Sequence, residues 1–135
     1  MLANYITDIE GSDIFYKGST IVSDSSSSWE ANGIPMLILK ENGQSGPELA
    51  ELMALQSRKL FASDVGIGIS AINSRHDSDV NKKSKLPGMV HVAIALPKDV
   101  HVFAERTLSR QPISKHRIAL NALIHLGKLL SQSQP

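Results

Sequence analysis

Three serines of this sequence could be proposed as nucleophiles, and each stands beside residues that begin or end a predicted element. They are Ser12, Ser45 and Ser70. Many serine hydrolases hold the nucleophile in a Gly-x-Ser-x-Gly pattern, on a sharp turn between a strand and a helix. None of the three serines has this pattern, so a capping or turn role explains them better.

The histidines indicate a metal site only weakly. His91 and His101 lie on two neighbouring predicted strands and could face each other. Two histidines without a third ligand are a poor match to a zinc site, which takes three or four protein ligands. His76, Asp77 and Asp79 lie in a polar stretch, where solvated charge is the better explanation. The chain has no cysteine, which excludes disulfides, thiolate metal sites and a cysteine nucleophile. We expect no bound metal and no cofactor.

Charge and hydropathy do not favour nucleic acid or membranes as partners. The chain has 135 residues and a net charge of +1. The basic residues Lys82, Lys83 and Lys85 lack the interleaved aromatic residues that single-strand binding sites use. No apolar run approaches the roughly 20 residues that span a bilayer, and residues 1–11 lack the features of a secretory signal. We therefore expect a cytoplasmic protein with one domain over residues 1–135 and a frayed tail at 131–135.

The clearest predicted helix covers Ser45–Phe61. Ser45 and Glu48 have the spacing of a capping box, and Pro47 stands where a first-turn proline is tolerated. A last helix begins at Pro112, and apolar residues at helical spacing predict its buried stripe. The stripe consists of Ile118, Ala119, Ala122, Leu123, Leu126, Leu129 and Leu130. Residues 2–7 have the composition of a further short helix.

The remaining apolar segments are typical of strands. Val65–Ile72 and Gly88–Leu96 are continuous apolar runs, as in strands buried on both faces. A turn at residues 97–99 leads into the alternating strand Val100–Leu108, which predicts a hairpin. Ile14–Val22 is predicted as another strand, and Asn73–Pro87 as a long exposed loop. These elements predict a layered α/β domain with a mixed sheet.

Several segments in series resemble the CinA C-terminal domain family. In that family a helix ends at Leu-Thr-Asp, a Gly-Ser turn follows, and a strand carries an aromatic residue and then a glycine pair. The residues at these positions are Thr7, Asp8, Gly11, Ser12, Phe15 and Gly18. Gly33-Ile34-Pro35 matches Leu-Gly-Val-Pro, Ser70–Arg75 stands at Thr-Gly-Ile-Ala-Gly-Pro, and Lys85–Gly88 stands at Lys-Pro-Val-Gly. The ordered series, which extends to about Leu130, carries the resemblance.

The resemblance implies an enzyme that hydrolyses the carboxamide of nicotinamide mononucleotide. The family does this with a serine nucleophile in a Glu-Ser-Cys-Thr-Gly-Gly segment, assisted by a lysine and a tyrosine. A base is needed because a serine hydroxyl is a weak nucleophile at neutral pH. Glycine-rich loops let the backbone approach the ribose phosphate. By resemblance, the ligand-binding residues are Thr7, Gly11, Ser12, Gly18, Ser70, Asn73 and Ser74.

The sequence departs from the family pattern at its catalytic positions. Ser23 stands at the tyrosine and Ser28 at the lysine, and neither serine can be a general base near neutral pH. In the phosphate loop, Ala71, Ser74 and Arg75 replace Gly, Gly and Pro. The nucleophile segment would come just before the first helix, so we expect the chain to lack it, together with the family's N-terminal strand and helix. These departures predict a catalytically inactive CinA-like domain, with no catalytic residue of its own.

Two alternatives stay open, and one further expectation concerns assembly. The chain could be an active nicotinamide-nucleotide amidase that is completed by a missing N-terminal segment. It could also be a nucleotide- or phosphate-binding module that uses Gly11-Ser12, Gly18 and the Ser70–Ser74 turn without hydrolysis. Lack of the N-terminal strand would leave an unpaired sheet edge, and such edges pair with other chains. We therefore expect a homo-oligomer.

Overall fold

The computed structural model describes residues 1–22, 30–34, 46–71, 89–106 and 111–132, and only the backbone of residues 71 and 111–114. The chain divides into two compact units. The first unit contains residues 1–18 and 108–135, and the second contains residues 19–107.

The first unit is helical in its described residues. Helix α1 covers Leu2–Thr7, a 3-10 helix covers Ser12–Ile14, and the long helix α3 covers Gln111–Gln132. Helix α1 contacts α3, and the hydroxyl of Tyr5 shares a hydrogen bond with Nδ1 of His116. The two rings meet edge to face, with their centroids 5.7 Å apart. This contact fixes α1, which at 6 residues is too short to be stable alone.

Helix α3 was predicted from its apolar stripe, and most of that stripe is covered. Ile118, Ala119 and Ala122 are buried. Leu130 is 42% exposed, so its assignment to the buried stripe was wrong. The helix continues through Gln132, where the Ser131 hydroxyl donates to the carbonyl oxygen of Gly127 at 2.9 Å.

The second unit is an antiparallel sheet with one helix packed on it. Strand β1 covers Gly66–Ala71, β2 covers Met89–Ala95, and β3 covers Val100–Arg106; the strand order is β1-β2-β3. The predicted hairpin between β2 and β3 is confirmed. Both pairings among the described strands are antiparallel, so the parallel pair that a mixed sheet requires is not found in this part of the chain.

Helix α2, which covers Pro47–Phe61, lies unusually close to β1. A Cβ placed on Gly68 would be 2.2 Å from the carbonyl oxygen of Ala50, and one on Gly66 would be 2.1 Å from that of Ala54. Ala50 and Ala54 are fully buried, together with Ala93 and Ala95 of β2. Because both the helix and the strands carry small residues where they meet, the helix axis lies close to the sheet. A second cluster joins Leu49 to Ile34, with partly buried Val22, Leu52 and Met53 beside it.

The capping box predicted for α2 is wrong. The N-cap is Gly46, one residue after Ser45, and no side chain caps it. Gly46 has φ of 127°, a region that favours glycine, and Pro47 follows at the first helical position as expected. The backbone conformation of Gly46 and Pro47 therefore starts the helix. The N–H of Gly46 donates to the hydroxyl of Ser70.

The strand predicted at Ile14–Val22 is also wrong. Ile14 ends the 3-10 helix, and residues 16–22 pair with no described strand. Ile14, Phe15 and Ile21 are 79%, 59% and 93% exposed. The β-branched and aromatic composition that suggested a strand stabilises one only where neighbours cover it. The predicted loop at 73–87 lies outside the described residues.

Candidate functional site

Four of the seven ligand-binding residues predicted by resemblance lie in α1 and in the segment that follows it, up to residue 18. Thr7 uses its hydroxyl inside the helix, where Oγ1 donates to the carbonyl oxygen of Ala3 at 2.8 Å. Gly11 has φ of 82° and Gly18 has φ of 151°, so both adopt conformations that side chains disfavour. Ser12, between them, is 7% exposed.

The backbone of Ser12 organises this turn. Its N–H donates to the carbonyl oxygen of Ile9, and its own carbonyl oxygen accepts from the N–H groups of Phe15 at 3.1 Å and Tyr16 at 2.7 Å. The positive φ of Gly11 makes this reversal possible. A buried serine whose backbone closes a tight turn fits the structural role that the sequence suggested for Ser12, and it is poorly exposed for attack on a substrate.

Ser70 fastens the end of β1 to the start of α2. Its Oγ accepts from the N–H of Gly46 at 2.9 Å and donates to the carbonyl oxygen of the same residue at 3.2 Å. Ser70 is only 4% exposed. The single hydroxyl thus satisfies both backbone groups of the N-cap residue, which no side chain of the helix caps. Both hydrogen-bonding directions of the hydroxyl are occupied, so Ser70 is positioned as a clamp and not as a nucleophile.

His91 is the neighbour of Ser70 across the sheet. The two residues are cross-strand partners in the β1–β2 ladder, so their side chains share the face that α2 covers. Nδ1 of His91 is buried and has no hydrogen-bond partner among the described residues. A buried ring nitrogen without a partner is unfavourable. Among the buried side-chain nitrogen and oxygen atoms of the described residues, Nδ1 of His91 is the one without a hydrogen-bond partner.

The possible pairing of His91 with His101 is wrong. His91 lies opposite Ala104, whereas His101 lies opposite Ile94, three residues further along β2. Because side chains alternate between the two faces of a strand, the histidines are on opposite faces of the sheet. His101 instead contacts the carboxylate of Asp99 at 3.2 Å. Within the described residues, no three metal-binding side chains come close enough to hold a metal ion.

The electrostatics at the start of α2 are mixed. A helix N-terminus carries partial positive charge and attracts anions. Glu48 lies in the first turn, and its carboxylate is 3.4 Å from the place where a Cβ on Gly46 would stand. Arg58 and Lys59 lie in the last turn. These charges stabilise the helix, and an anionic ligand at its N-terminus would have to compete with Glu48.

The predicted site residues are divided between the two units. Thr7, Gly11, Ser12 and Gly18 belong to the first unit, and Ser70 belongs to the second. Asn73 and Ser74 lie outside the described residues, as do Ser23 and Ser28 at the family's tyrosine and lysine positions. Among the described helices, none is long and apolar enough to cross a membrane.

The sequence analysis did not predict the hydrogen bonds between Ser70 and Gly46. It also did not predict that His91 lies opposite Ser70 in the sheet. The alternation of β1 carried a signal for the contact with Gly46, because Gly66, Gly68 and Ser70 are small residues that lie on one face of the strand. That pattern indicates a closely packed helix on this face. Which helix start would meet Ser70 depends on contacts distant in sequence, which periodicity does not reveal.

The helices and the sheet define a layered α/β fold. The described candidate site residues lie in and after α1 and near the end of β1, where Ser70 bonds Gly46. The CinA C-terminal domain model matches residues 1–130, and the chain belongs to that family. A CinA-like protein of Prochlorococcus marinus subsp. pastoris is 28% identical over 132 residues, covering 96% of this chain and 30% of that protein. The chain thus spans less than a third of the length of the first curated relatives it matches.

Solved structures agree on the fold. Competence damage-inducible protein A of Klebsiella pneumoniae superposes with a TM-score of 0.82 at 15% identity, covering 98% of this chain and 81% of that one. A CinA superfamily protein of Enterobacter cloacae gives a TM-score of 0.79 at 18% identity, covering 96% and 75%. The layered α/β class expected from the sequence is therefore confirmed.

Proposed function

We propose that this chain is a CinA-like domain that does not hydrolyse nicotinamide mononucleotide. The observation that carries the proposal is the presence of serine at positions 23 and 28, where the family pattern has tyrosine and lysine. A serine hydroxyl cannot take a proton from another hydroxyl near neutral pH. An amidase that works through an activated serine needs such a base.

The described serines support the same conclusion. Ser70 engages both backbone groups of Gly46, and Ser12 is buried in a turn. Activation of either hydroxyl would require it to leave its present surroundings and to find a base. Among the described residues, no lysine, glutamate or aspartate side chain forms a hydrogen bond with either hydroxyl.

Ammonia release from nicotinamide mononucleotide tests the proposal. The purified chain should give no release above that of heat-denatured protein, at any substrate concentration. The proposal fails if turnover appears and is abolished by Ser12→Ala, Ser23→Ala or Ser28→Ala. Turnover that survives these three substitutions, and also Ser45→Ala and Ser70→Ala, would indicate a contaminating amidase.

A second candidate is a nucleotide- or phosphate-binding module without hydrolysis. It is favoured by the position of Ser70, which lies near the end of β1 and contacts the N-terminus of a helix of 15 residues. Phosphates bind at helix N-termini of this kind. Titration calorimetry with nicotinamide mononucleotide and with inorganic phosphate would detect this binding. If the anion lies at the start of α2, Glu48→Gln should tighten binding, whereas Glu51→Gln, one position beyond the first turn, should have a smaller effect. No heat with either probe would exclude this candidate.

A further inference from the structure

In the part of the chain that the structure describes, β3 is an edge strand of the sheet. β3 pairs with β2 along one side, and none of the described strands lies along the other. Val102 is 39% exposed, and Ala104 and Arg106 on the same face are exposed as well. An edge strand with small and apolar side chains presents a row of N–H and C=O groups to which another strand can bind.

The hairpin turn determines which backbone groups point outward. The N–H of Leu96 donates to the carbonyl oxygen of Asp99 at 2.8 Å, so these residues form a hydrogen-bonded pair. Hydrogen-bonded and non-hydrogen-bonded pairs alternate along an antiparallel ladder. The residues of β3 that point their backbone groups toward β2 are therefore His101, Phe103 and Glu105. Those that point them outward are Val100, Val102, Ala104 and Arg106.

We propose that two copies of this chain associate by antiparallel pairing of their β3 strands about a two-fold axis at Phe103. In this register Val102 lies opposite Ala104 of the second copy, and Val100 lies opposite Arg106 of the second copy. All four positions have outward backbone groups, so each pair can form hydrogen bonds in both directions. Phe103 lies opposite Phe103 of the second copy. This is a non-hydrogen-bonded pair, because the backbone N–H and C=O of Phe103 point toward β2.

Charge and length select this register among those that the backbone allows. It aligns the whole strand of 7 residues and brings no two acidic side chains opposite each other. Centring the axis on Val102 would put Asp99 opposite Glu105 of the second copy, and like charges in that position are destabilising. Centring it on Ala104 leaves the first two residues of each strand beyond the end of the other. Pairing of one strand buries little area, so a weak, reversible dimer is expected.

The inference rests on backbone geometry and not on the ligand proposed above. It assigns a surface to the homo-oligomer expected from the sequence, although that expectation had a different basis. The tests of dimerisation contain no nucleotide, so a negative result would not affect the proposed function. Detection of amidase activity would likewise not affect the proposed dimer.

Single-cysteine variants test the register, since the chain has no cysteine of its own. Val102→Cys and Ala104→Cys chains, purified separately with tags of different mass, would be oxidised alone and as a mixture. In the proposed register Cα atoms 102 and 104 of different copies are about 5.5 Å apart, within the range of a disulfide. Two copies of the same variant would place their sulfurs about two residues apart along the strands, beyond that range. We expect the mixture to form covalent dimer at least about tenfold faster than either variant alone. Equal rates would overturn the register.

Sedimentation across a dilution series tests the edge itself. Ala104→Pro removes only an outward N–H, so the ladder to β2 is retained, and proline is accepted on edge strands in that position. The unsubstituted chain and Ala104→Ser should show a concentration-dependent dimer, and Ala104→Pro should remain monomeric with an unchanged circular dichroism spectrum. A dimer that persists in folded Ala104→Pro, or a monomer at every concentration of the unsubstituted chain, would overturn the proposal. Were Ala104→Pro to unfold, the cysteine mixture would decide alone.

Discussion

Substitution of Gly68 by alanine tests the close approach of α2 to β1. The added Cβ would lie 2.2 Å from the carbonyl oxygen of Ala50, 2.6 Å from the amide nitrogen of Ala54 and 2.9 Å from Cβ of Met53. Two of these atoms belong to the helix backbone, so no side-chain rotation relieves the contact. The helix must therefore move away from the sheet by roughly 1 Å, and a gap of that size removes a quarter to a half of the dispersion energy of the contacts it opens.

The expected cost follows from this displacement. Overpacking of a close-packed interior costs about 1–3 kcal/mol, and contact with backbone places Gly68→Ala at the upper end of that range. We expect the free energy of unfolding to fall by about 2–3 kcal/mol, a large part of the roughly 5–15 kcal/mol that stabilises an ordinary domain. Urea denaturation followed by circular dichroism would measure the fall.

Gly127→Ala is the matched control. Gly127 lies within α3, and a Cβ added there meets nothing within 4 Å. Alanine is favoured over glycine by about 0.5–1 kcal/mol in a helix interior, so this variant should be more stable than the unsubstituted chain. If Gly68→Ala lost less than about 0.5 kcal/mol, or if both variants were destabilised alike, the argument from close packing would be refuted.

Two further substitutions test the polar joints of the second unit, each by urea denaturation. Ser70→Ala should cost about 1–3 kcal/mol, because it leaves the buried N–H of Gly46 without its partner; no measurable loss would contradict a clamping role. Arg58 donates from its guanidinium to the carbonyl oxygen of Leu96 at 3.0 Å, so Arg58→Met should cost about 1.5–3 kcal/mol. Lys59→Met, on the exposed neighbour, should change stability by less than about 0.5 kcal/mol, and equal losses in both would indicate a general effect of charge removal.

Elements with a strong local pattern were predicted well from the sequence. The hairpin follows from two apolar segments separated by a short turn, and its register is fixed by the turn itself. Helix α2 follows from its apolar spacing and from Pro47. In both cases the residues that decide the structure lie within a few positions of one another, so the pattern alone carried the information.

The errors arose where the outcome depended on distant residues. Ile14–Val22 has the composition of a strand, but composition does not say whether another strand lies alongside, and none of the described strands does. The capping box failed because the helix begins one residue later, at Gly46, whose backbone groups are bound by the Ser70 hydroxyl from 24 residues away. The faces of His91 and His101 depended on a register that was not known before the ladder was seen.

The family resemblance supplied site residues that the physical pattern could not. Nothing in the spacing of Thr7, Gly11, Ser12 or Gly18 identifies a ligand, and the structure shows what these residues do locally: Thr7 bonds within α1, and Gly11 permits the turn that Ser12 closes. Their roles toward a ligand stay a prediction from resemblance. The hydrogen bonds of this turn involve backbone groups of the chain itself, so the turn at Gly11 and Ser12 needs no ligand to form.

The contacts that hold α2 on the sheet of the second unit involve the small residues of both elements, the Ser70 hydroxyl and the Arg58 guanidinium. Close packing and hydrogen bonds to backbone groups account for all of them, and none of them requires a group that reacts with a substrate. The same fold can therefore be held together with or without catalytic chemistry. A fold match alone does not establish amidase activity.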